Sequence, residues 1–452
     1  MFESVNPATG EAFATYEPHD HTEVDRRLDR ALEAFMSWRD RSFADRAVVL
    51  HQVADHLDDD RDTHAELMTK EMGKPITAAR AEAEKCAWVC RHYADHAAEY
   101  LATEDIPTDA PRSYVRYDPL GPVLAVMPWN FPYWQVFRFA APSLMAGNVG
   151  LLKHASNVPG CALAIEDLFV SAGAGDAFQV LLIGSDGVEK VVADHRVVAA
   201  TVTGSERAGA SVAGAAGREI KPTVLELGGS DPFIVLADAD LEPAIATAAQ
   251  ARLINNGQSC IAAKRFIVDR SVADRFTDGL VDAMEAAKVG DPLDDATEVG
   301  PLAREDLLDE LHDQVQRSVK DGSVLRTGGE RLDRPGYFYA PTLLDDVTPA
   351  HAAGCEETFG PVAAVIRVDG EDEAVAAANG TPYGLGASLW TQNTDRAEQI
   401  VRRIDAGCVF VNDMVKSDPR LPFGGVKRSG YGRELGAPGI RAFANTKTIS
   451  FA

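Results

Sequence analysis

Between residues 123 and 268, short apolar runs typical of buried strands alternate with segments typical of helices. This alternation predicts a parallel sheet covered by helices, because neighbouring strands that run in the same direction need a crossover connection. The predicted strands are Val123 to Met127, Val149 to Leu152, Gln179 to Leu182, Ala199 to Val202, Val224 to Leu227, Phe233 to Leu236 and Arg265 to Val268. The pattern therefore predicts an α/β fold, with a Rossmann-like, dinucleotide-type sheet followed by a second α/β unit.

The composition narrows the class of protein. The 452 residues are enough for two large domains, and 46% hydrophobic with 25% charged residues is typical of a globular chain. The chain shows neither a signal-peptide pattern nor an apolar run of transmembrane length, so we expect no membrane partner. Six cysteines are too sparse for a disulfide framework, which favours a reducing, cytoplasmic location.

The charge of the chain is strongly acidic. Acidic residues outnumber basic ones by 69 to 44, which gives a net charge of −25 and disfavours a nucleic-acid partner. Only twelve of the basic residues are lysine. Because the acidic excess is spread along the chain, we expect a halophilic protein whose self-repulsion is screened by salt. An ordinary acidic cytosolic protein is the alternative.

A candidate nucleophile lies where a predicted helix ends. The helix-like run Asp240 to Ile254 is followed by Asn255-Asn256-Gly257, which favours a helix stop because Asn and Gly tolerate positive φ. Cys260 follows in the next loop. A thiol at such a junction can face a cleft, although a lone intracellular cysteine is more often a small buried side chain.

A candidate general base precedes this cysteine. Glu226 lies near the end of the apolar run Pro222 to Leu227, just before the turn Gly228-Gly229. Alone, it would be interpreted as a buried salt-bridge partner. A thiol and a carboxylate that both lie at the ends of regular elements together indicate covalent catalysis.

The surroundings of both residues resemble the signature segments of the aldehyde dehydrogenase superfamily, Gly-Gln-Ser-Cys and Leu-Glu-Leu-Gly-Gly. Further resembling segments follow the family's order and cover nearly the whole chain: Pro128-Trp129-Asn130-Phe131-Pro132, Thr203-Gly204-Ser205, Glu357-Thr358-Phe359-Gly360-Pro361 and Pro422-Phe423-Gly424-Gly425. The resemblance implies the aldehyde dehydrogenase fold and the oxidation of an aldehyde to a carboxylic acid with NAD or NADP.

The resemblance also implies catalytic roles for three residues. Cys260 attacks the aldehyde as a thiolate and passes through a thiohemiacetal and a thioester. A free thiol has a pKa of about 8.5, and we expect a polar cleft to increase its ionised fraction. Asn130 and the backbone N–H of Cys260 hold the oxyanion, and Glu226 activates the water that releases the acid.

Two positions depart from the family's pattern. Ala262 stands where some succinate-semialdehyde dehydrogenases carry a second cysteine as a redox switch, so we expect no such regulation. His154 replaces a proline that is common in the superfamily.

A cofactor site is predicted where the strand ending at Thr203 meets a helix, because free N–H groups and the helix dipole suit a pyrophosphate. A capped helix without a ligand is the alternative. The resemblance implies that the cofactor contacts Trp129, Lys153, Ser156, Gly204, Ser205, Glu357 and Phe359. Relatives strict for NAD have Glu where this chain has Ser156. A serine does not repel the 2′-phosphate of NADP, so we expect both nucleotides to be used, with a slight preference for NADP.

The substrate prediction rests mainly on Arg138. Succinate-semialdehyde dehydrogenases have Arg at this position, where it grips the distal carboxylate, and Ser417 is implied as a second contact. Pairing of Arg138 with an internal Asp or Glu is the alternative. A further arginine of the better-known branch corresponds to Ile254 here, and either Arg252 or Arg420 is a candidate substitute. We expect succinate semialdehyde, with glutarate semialdehyde or another carboxylated aldehyde as rivals.

The domain prediction combines these segments. Residues 1–105 and 119–228 form the dinucleotide-binding domain, residues 229–430 form the catalytic domain, and residues 106–118 and 431–452 form the β-arm that the family uses for oligomerisation. A homodimer or homotetramer is therefore expected. Cys86 and Cys90 are four residues apart, as are His92 and His96, but the two pairs do not share a helix face, so no metal site is expected.

Two other classes of protein would be expected to carry different residues at these positions. A non-catalytic structural relative would be expected to lack Cys260, Glu226 or Asn130, and all three are present. An acyltransferase that passes the thioester to coenzyme A generally lacks the counterpart of Glu226, so the presence of this residue favours hydrolysis.

Overall fold

The computed structural model describes residues 1–452 and has two large α/β sheets, a smaller three-stranded sheet and an N-terminal hairpin. The hairpin pairs β1 (Phe2–Asn6) with β2 (Glu11–Tyr16). A layer of four helices follows: α1 (His21–Trp38), α2 (Phe43–Asp59), α3 (Arg61–Met72) and α4 (Ile76–Tyr100). The helical layer shares one hydrophobic core with the first large sheet.

The first sheet has the strand order β17-β9-β8-β5-β6-β7 and is parallel except for β17. Its strands are β5 (Pro122–Met127), β6 (Val149–His154), β7 (Phe178–Val180), β8 (Ala199–Thr203), β9 (Thr223–Glu226) and β17 (Gly430–Tyr431). Its helices are α5 (Trp134–Ala146), α6 (Pro159–Ser171), α7 (Ser185–Ala193) and α8 (Glu206–Arg218). Because β5 lies between β6 and β8, the strand order reverses there, and such switch points bind ligands at the carboxyl ends of the strands.

The second sheet has the order β12-β13-β14-β11-β10-β15-β16, with only the β12–β13 pair antiparallel. Its strands are β10 (Asp231–Val235), β11 (Ala263–Asp269), β12 (Val324–Thr327), β13 (Thr342–Asp345), β14 (Val362–Val368), β15 (Gly386–Trp390) and β16 (Cys408–Val411). Its helices are α9 (Leu241–Leu253), α10 (Arg270–Ala286), α11 (Glu305–Lys320), α12 (Ala352–Cys355), α13 (Gly370–Asn379) and α14 (Thr394–Val401). The predicted α/β fold with two sheets is confirmed.

The third sheet is the arm. It joins β3 (Glu104–Asp105), β4 (Arg112–Pro119) and β18 (Ala444–Phe451), and β18 pairs with β4 along eight residues. Residues 431–443, which the sequence assigned to the arm, instead include β17 and α15 (Gly436–Arg441) and place Leu435, Ile440 and Phe443 in the first core. Apolar burial therefore ties this part of the tail to the first unit.

Two local predictions shift slightly. The strand expected at Gln179 to Leu182 is β7, which starts one residue earlier and is shorter. The helix expected from Asp240 to Ile254 is α9, with Asp240 as its N-cap position. No helix is long and apolar enough to cross a membrane.

Candidate active site

The loop that carries Cys260 begins where α9 ends. Asn255 and Asn256 have φ angles of 55° and 59°, and Gly257 continues with 73°, so the helical hydrogen-bond ladder stops here. A Cβ on Gly257 would lie 2.3 Å from the carbonyl carbon of Gly360. The predicted helix stop is confirmed, and only glycine fits at its last position.

Buried side chains hold the backbone of this loop. Lys264 is fully buried, and its Nζ donates to the carbonyl oxygens of Ser259 and Cys260, both at 2.9 Å. The Asn256 amide donates to the carbonyl of Gly73 at 2.9 Å, which joins the loop to the segment before α4. Lys264 was not predicted, and its one sequence signal is a charge at the start of an apolar strand close to the cysteine.

Asn130 meets the nucleophile loop from the carboxyl end of β5. Its Nδ2 donates to the carbonyl of Gln258 at 3.1 Å, and the Asn255 side chain donates to the Asn130 carbonyl at 2.8 Å. One N–H of the Asn130 amide remains, and the backbone N–H of Cys260 donates to no protein acceptor. Both groups are available to an oxygen bound beside the thiol, as an oxyanion hole requires.

A buried ion pair anchors the segment that follows Asn130. Lys74 pairs with Glu82, and the same carboxylate accepts the backbone N–H groups of Tyr133 at 2.9 Å and Trp134 at 2.8 Å. The Lys74 ammonium also lies 4.2 Å from the centre of the Phe131 ring. This contact and these bonds fix the start of α5, and therefore the loop that presents Asn130.

His154 braces the same loop. Its Nε2 lies 2.8 Å from the carbonyl of Pro132, and its Nδ1 accepts the backbone N–H of Ala155 at 2.9 Å. Burial lowers the pKa of His154 to about 4, so the ring is neutral and donates through Nε2. The unusual histidine thus links the end of β6 to the loop after β5, which a proline side chain could not do.

Glu226, Glu434 and Arg138 form a buried cluster. The Arg138 Nε pairs with a carboxylate oxygen of Glu434, and its guanidinium lies 4.8 Å from the centre of the Phe423 ring. Burial raises the pKa of Glu226 well above its ordinary value, Glu434 raises it further, and Arg138 opposes the shift. A raised pKa makes the ionised form of Glu226 a stronger base.

The Cys260 thiol has a different environment from the one expected. It is partly exposed, but burial raises its pKa to about 12, while Arg138 and Lys264 lower it. The expectation of a polar cleft that increases thiolate is therefore wrong, because protein atoms surround the sulfur on most sides. A thiol with a raised pKa must lose its proton before it can attack an aldehyde.

The predicted cofactor residues gather at the switch point and beside it. Lys153 is the penultimate residue of β6 and is buried, and burial alone lowers its pKa because no acid faces it. Ser156 is exposed in the following loop, and the Ser205 hydroxyl caps α8 by accepting the Ala208 N–H at 3.3 Å. A Cβ on Gly204 would meet no atom within 4 Å, so there is room for a ligand above this turn.

The remaining cofactor candidates are Trp129, from the loop after β5, and Glu357 and Phe359, from the second unit. The rings of Trp129 and Phe359 meet edge to face with centres 5.8 Å apart. Glu357 accepts the Gly229 N–H at 3.0 Å and lies 3.6 Å from the Lys264 ammonium. The ring contact joins Trp129 of the first unit to Phe359 of the second, and the Glu357 contacts connect the second unit to Lys264, which binds the nucleophile loop.

The predicted substrate residues Ser417 and Arg138 are both engaged by other side chains. The Ser417 hydroxyl accepts a hydrogen bond of 2.8 Å from Lys85 of α4, a residue that was not predicted. Arg138 contacts Thr203 through Nη2 at 3.4 Å and pairs with Glu434 through Nε, while its Nη1 donates to no protein acceptor. The internal acid considered as the alternative for Arg138 is thus present.

The two arginines proposed as substitutes lie elsewhere. Arg252 is fully buried, donates to the carbonyl of Gly257 at 2.6 Å, and interacts electrostatically with Glu357. Arg420 is exposed and donates two hydrogen bonds, of 2.8 Å and 2.6 Å, to Asp418. Neither placement favours a contact with a substrate carboxylate.

No group of three or more His, Cys, Asp or Glu side chains is arranged to hold a metal ion. Cys86 and Cys90 are buried in the first core, and His92 stacks on His96 with ring centres 4.6 Å apart. These four residues serve helix packing.

Comparison with known proteins agrees with this geometry. The model of the Aldehyde dehydrogenase family matches residues 1–449. The chain is 57% identical over 450 residues to the probable succinate-semialdehyde dehydrogenase (NADP+) of Synechocystis sp., covering 99% of each protein. It is 54% identical over 453 residues to the succinate-semialdehyde dehydrogenase (NADP+) of Mycobacterium avium, covering 99% of this chain and 96% of that protein.

Solved structures give the same result. The succinic semialdehyde dehydrogenase of Streptococcus pyogenes in complex with NADP+ superimposes with a TM-score of 0.98 at 40% identity and covers 100% of both chains. An NADP-dependent enzyme of E. coli superimposes with a TM-score of 0.97 at 32% identity, covering 100% of this chain and 94% of that chain.

Proposed function

Because the chain belongs to the aldehyde dehydrogenase family and so acts as an oxidoreductase on aldehydes, we propose that it oxidises succinate semialdehyde to succinate with NADP+. The observation that carries this proposal is the pairing of a complete nucleophile pocket with cations beside it. Asn130 and Cys260 retain two free donors. In an otherwise acidic protein, Arg138 acts electrostatically on the Cys260 thiol, and the cation Lys85 donates to Ser417.

The chemistry begins with the thiol. Cys260 loses its proton to solvent water, the thiolate sulfur bonds to the aldehyde carbon, and the carbonyl oxygen becomes an oxyanion. The Asn130 amide and the backbone N–H of Cys260 donate to that oxyanion. NADP+ bound at this site would supply the hydride acceptor, and loss of hydride from the former aldehyde carbon leaves a thioester on Cys260.

Hydrolysis completes the cycle. Glu226 removes a proton from a water, the water oxygen attacks the thioester carbon, and the carbon–sulfur bond breaks to give the acid and the thiol. Burial raises the pKa of Glu226, and a carboxyl with a raised pKa takes this proton more readily.

The residues of the cofactor side fit a dinucleotide phosphate. Lys153 is a buried ammonium without an acid beside it, and the N-terminus of α8 is open above Gly204. We propose that Lys153, Ser156, Gly204 and Ser205 hold the adenosine phosphates and ribose, and that Trp129, Glu357 and Phe359 hold the nicotinamide end. The exposed Ser156 puts no negative charge near the 2′-phosphate and can donate a hydrogen bond to it, so NADP+ should bind better than NAD+.

The cofactor proposal is tested by Ser156→Glu. The new carboxylate should raise the KM for NADP+ at least tenfold and change that for NAD+ much less, because only NADP+ carries the 2′-phosphate. Ser156→Ala is the matched control, since it removes the hydroxyl without adding charge. A wild type that uses NAD+ alone would refute the argument from this position.

The substrate proposal is tested with a panel of aldehydes, each with both nucleotides and with or without coenzyme A. Succinate semialdehyde should give the highest kcat/KM, butyraldehyde should be poorer, and coenzyme A should not be required. A higher kcat/KM for glutarate semialdehyde would move the assignment to the longer carboxylated aldehyde.

We also propose a homo-oligomer in the cytoplasm. The arm sheet leaves β18 and the two-residue β3 at its edges, and an exposed edge strand can pair with another subunit. All six cysteines are free, which supports a reducing compartment. Light scattering should show a dimer or tetramer, and a chain truncated before residue 444 should be a monomer.

A further inference from the structure

A cation without an acid lies beside Ser417, one of the predicted substrate residues. The Lys85 ammonium donates to the Ser417 hydroxyl at 2.8 Å and lies 4.2 Å from the centre of the Trp134 ring. Lys85 belongs to no ion pair, whereas Lys74, just before α4, pairs with Glu82. The partly buried ammonium is therefore satisfied only by a hydroxyl and an aromatic face.

The acids near Lys85 are already engaged. Glu82 accepts from Lys74 and from the backbone N–H groups of Tyr133 and Trp134. Asp418 accepts two hydrogen bonds from Arg420. Arg138 is paired with Glu434, and its repulsion adds to burial in lowering the pKa of Lys85. Burial of an ammonium without an anion costs free energy, and an anionic ligand would recover it.

We propose that Lys85 binds the distal carboxylate of the substrate, together with the hydroxyl of Ser417 and the free Nη1 group of Arg138. This inference deepens the proposed function and rests on it for the identity of the carboxylated aldehyde. Lys85 thereby fills the role that the sequence left open between Arg252 and Arg420. The substrate class is an aliphatic aldehyde with a carboxylate at its far end.

The location of Lys85 explains how it can recognise one end of the substrate without taking part in the reaction. The Lys85 ammonium contacts the ring of Trp134, and Arg138 follows Trp134 by one turn of α5, so both cations can meet the same end of the substrate. The carbonyl end would meet Asn130 and Cys260, while the carboxylate end would meet the two cations. An uncharged aldehyde would gain nothing from Lys85.

The test compares Lys85→Met with Lys85→Arg. For each variant, kcat/KM is measured with succinate semialdehyde and with butyraldehyde, and succinate is tested as an inhibitor of butyraldehyde oxidation. Loss of a charge-assisted bond should lower the preference for succinate semialdehyde by at least about tenfold and weaken inhibition by succinate similarly. Lys85→Arg should retain most of both, because it keeps the charge. Lys320→Met removes an exposed lysine at the end of α11 and is the matched control.

The outcomes separate this inference from the proposed function. If Lys85→Met keeps the wild-type preference and the wild-type inhibition constant, Lys85 does not bind the carboxylate. If the wild type does not prefer succinate semialdehyde, but succinate still inhibits it more strongly than it inhibits Lys85→Met, the substrate assignment fails and the anion site stands. Should Lys85→Met fold poorly, Lys85→Gln keeps a donor to Ser417 and is judged by the same two measurements.

Discussion

The nucleophile pocket and the substrate mouth of this protein satisfy their polar groups in opposite ways. The pocket consists of Asn130, Cys260 and the loops that carry them. Here buried side chains donate hydrogen bonds to backbone carbonyl groups of the loops. In the mouth, defined by Lys85, Arg138 and Ser417, donors remain without an acceptor. Hydrogen bonds to carbonyl groups fix the conformation of the loops, whereas donors without a protein acceptor are available to bind a ligand.

This contrast indicates that stabilisation of the oxyanion requires rigid loops, whereas recognition of a carboxylate requires unneutralised charge. Stabilisation of an oxyanion depends on donors that are already in position, so every bond that holds the pocket contributes to turnover of any aldehyde. Recognition of a carboxylate depends on charge that the protein does not neutralise itself. Changes in the pocket should therefore affect all substrates, and changes in the mouth should affect carboxylated ones most.

Removal of the nucleophile should have the largest effect. Cys260→Ala should lower kcat at least about 10⁴-fold for every aldehyde, with nucleotide binding nearly intact in a fluorescence titration. Full turnover by this variant would rule out the covalent mechanism.

Glu226→Gln should slow hydrolysis and leave a burst of NADPH in stopped-flow traces, since the thioester would form faster than it is released.

The anchor of the Asn130 loop should come next. Lys74→Met leaves the Glu82 carboxylate buried without its cation, which should lower the free energy of unfolding by about 3 kcal/mol. It should also lower kcat by about 100-fold on succinate semialdehyde and butyraldehyde alike, because the oxyanion donor is displaced. The double variant with Glu82→Gln removes the buried charge but keeps an acceptor for Tyr133 and Trp134, so it should recover stability. Lys70→Met, on α3, is the control.

A change in relative activity alone would contradict this expectation. If Lys74→Met affected only succinate semialdehyde, the Lys74–Glu82 pair would belong with the mouth, and the contrast between the two regions would fail.

Arg138 acts electrostatically on both Cys260 and Lys85, so its removal should lower activity on all aldehydes and lower it further on carboxylated ones. Arg138→Ala leaves Glu434 without its cation beside Glu226, so turnover of butyraldehyde should fall. The kcat/KM for succinate semialdehyde should fall about tenfold further, because the Nη1 donor is lost as well. Equal losses on the two substrates, measured side by side, would assign Arg138 to the pocket alone.

The smallest expected effect is a dependence on pH. Burial lowers the pKa of Lys85 to about 8, and Arg138 lowers it further, while Cys86, Glu82 and Asp418 oppose the shift. Below this pKa the ammonium is charged, and above it the charge is lost. The KM for succinate semialdehyde should therefore rise about fourfold between pH 7 and pH 8.5, relative to that for butyraldehyde. Lys85→Arg should abolish this relative rise, because guanidinium stays charged.

The sequence predicted those parts of the site that depend on local conformation or on a motif. Asn255 to Gly257 stop a helix because of their own backbone preferences, and the structure has that stop. Lys85 could not be predicted, because its partner Ser417 is 332 positions away and helix α4 gives no local sign of the contact. Lys264 was missed because its ligands are carbonyl groups, which every residue type carries. The salt adaptation remains a prediction, since it concerns the solvent around the surface.

The arm sheet has a consequence for the order of events during synthesis. Lys447 of β18 pairs with Asp118 of β4, although the two are 329 positions apart, so β4 must leave the ribosome long before its partner strand. Both α/β units are translated in that interval and can fold first, as domains generally do. Until β18 arrives, β4 is a long strand with an open edge, at risk of pairing with another nascent chain. The proposed association of subunits through the arm would therefore be delayed until each protomer has been translated almost to residue 452.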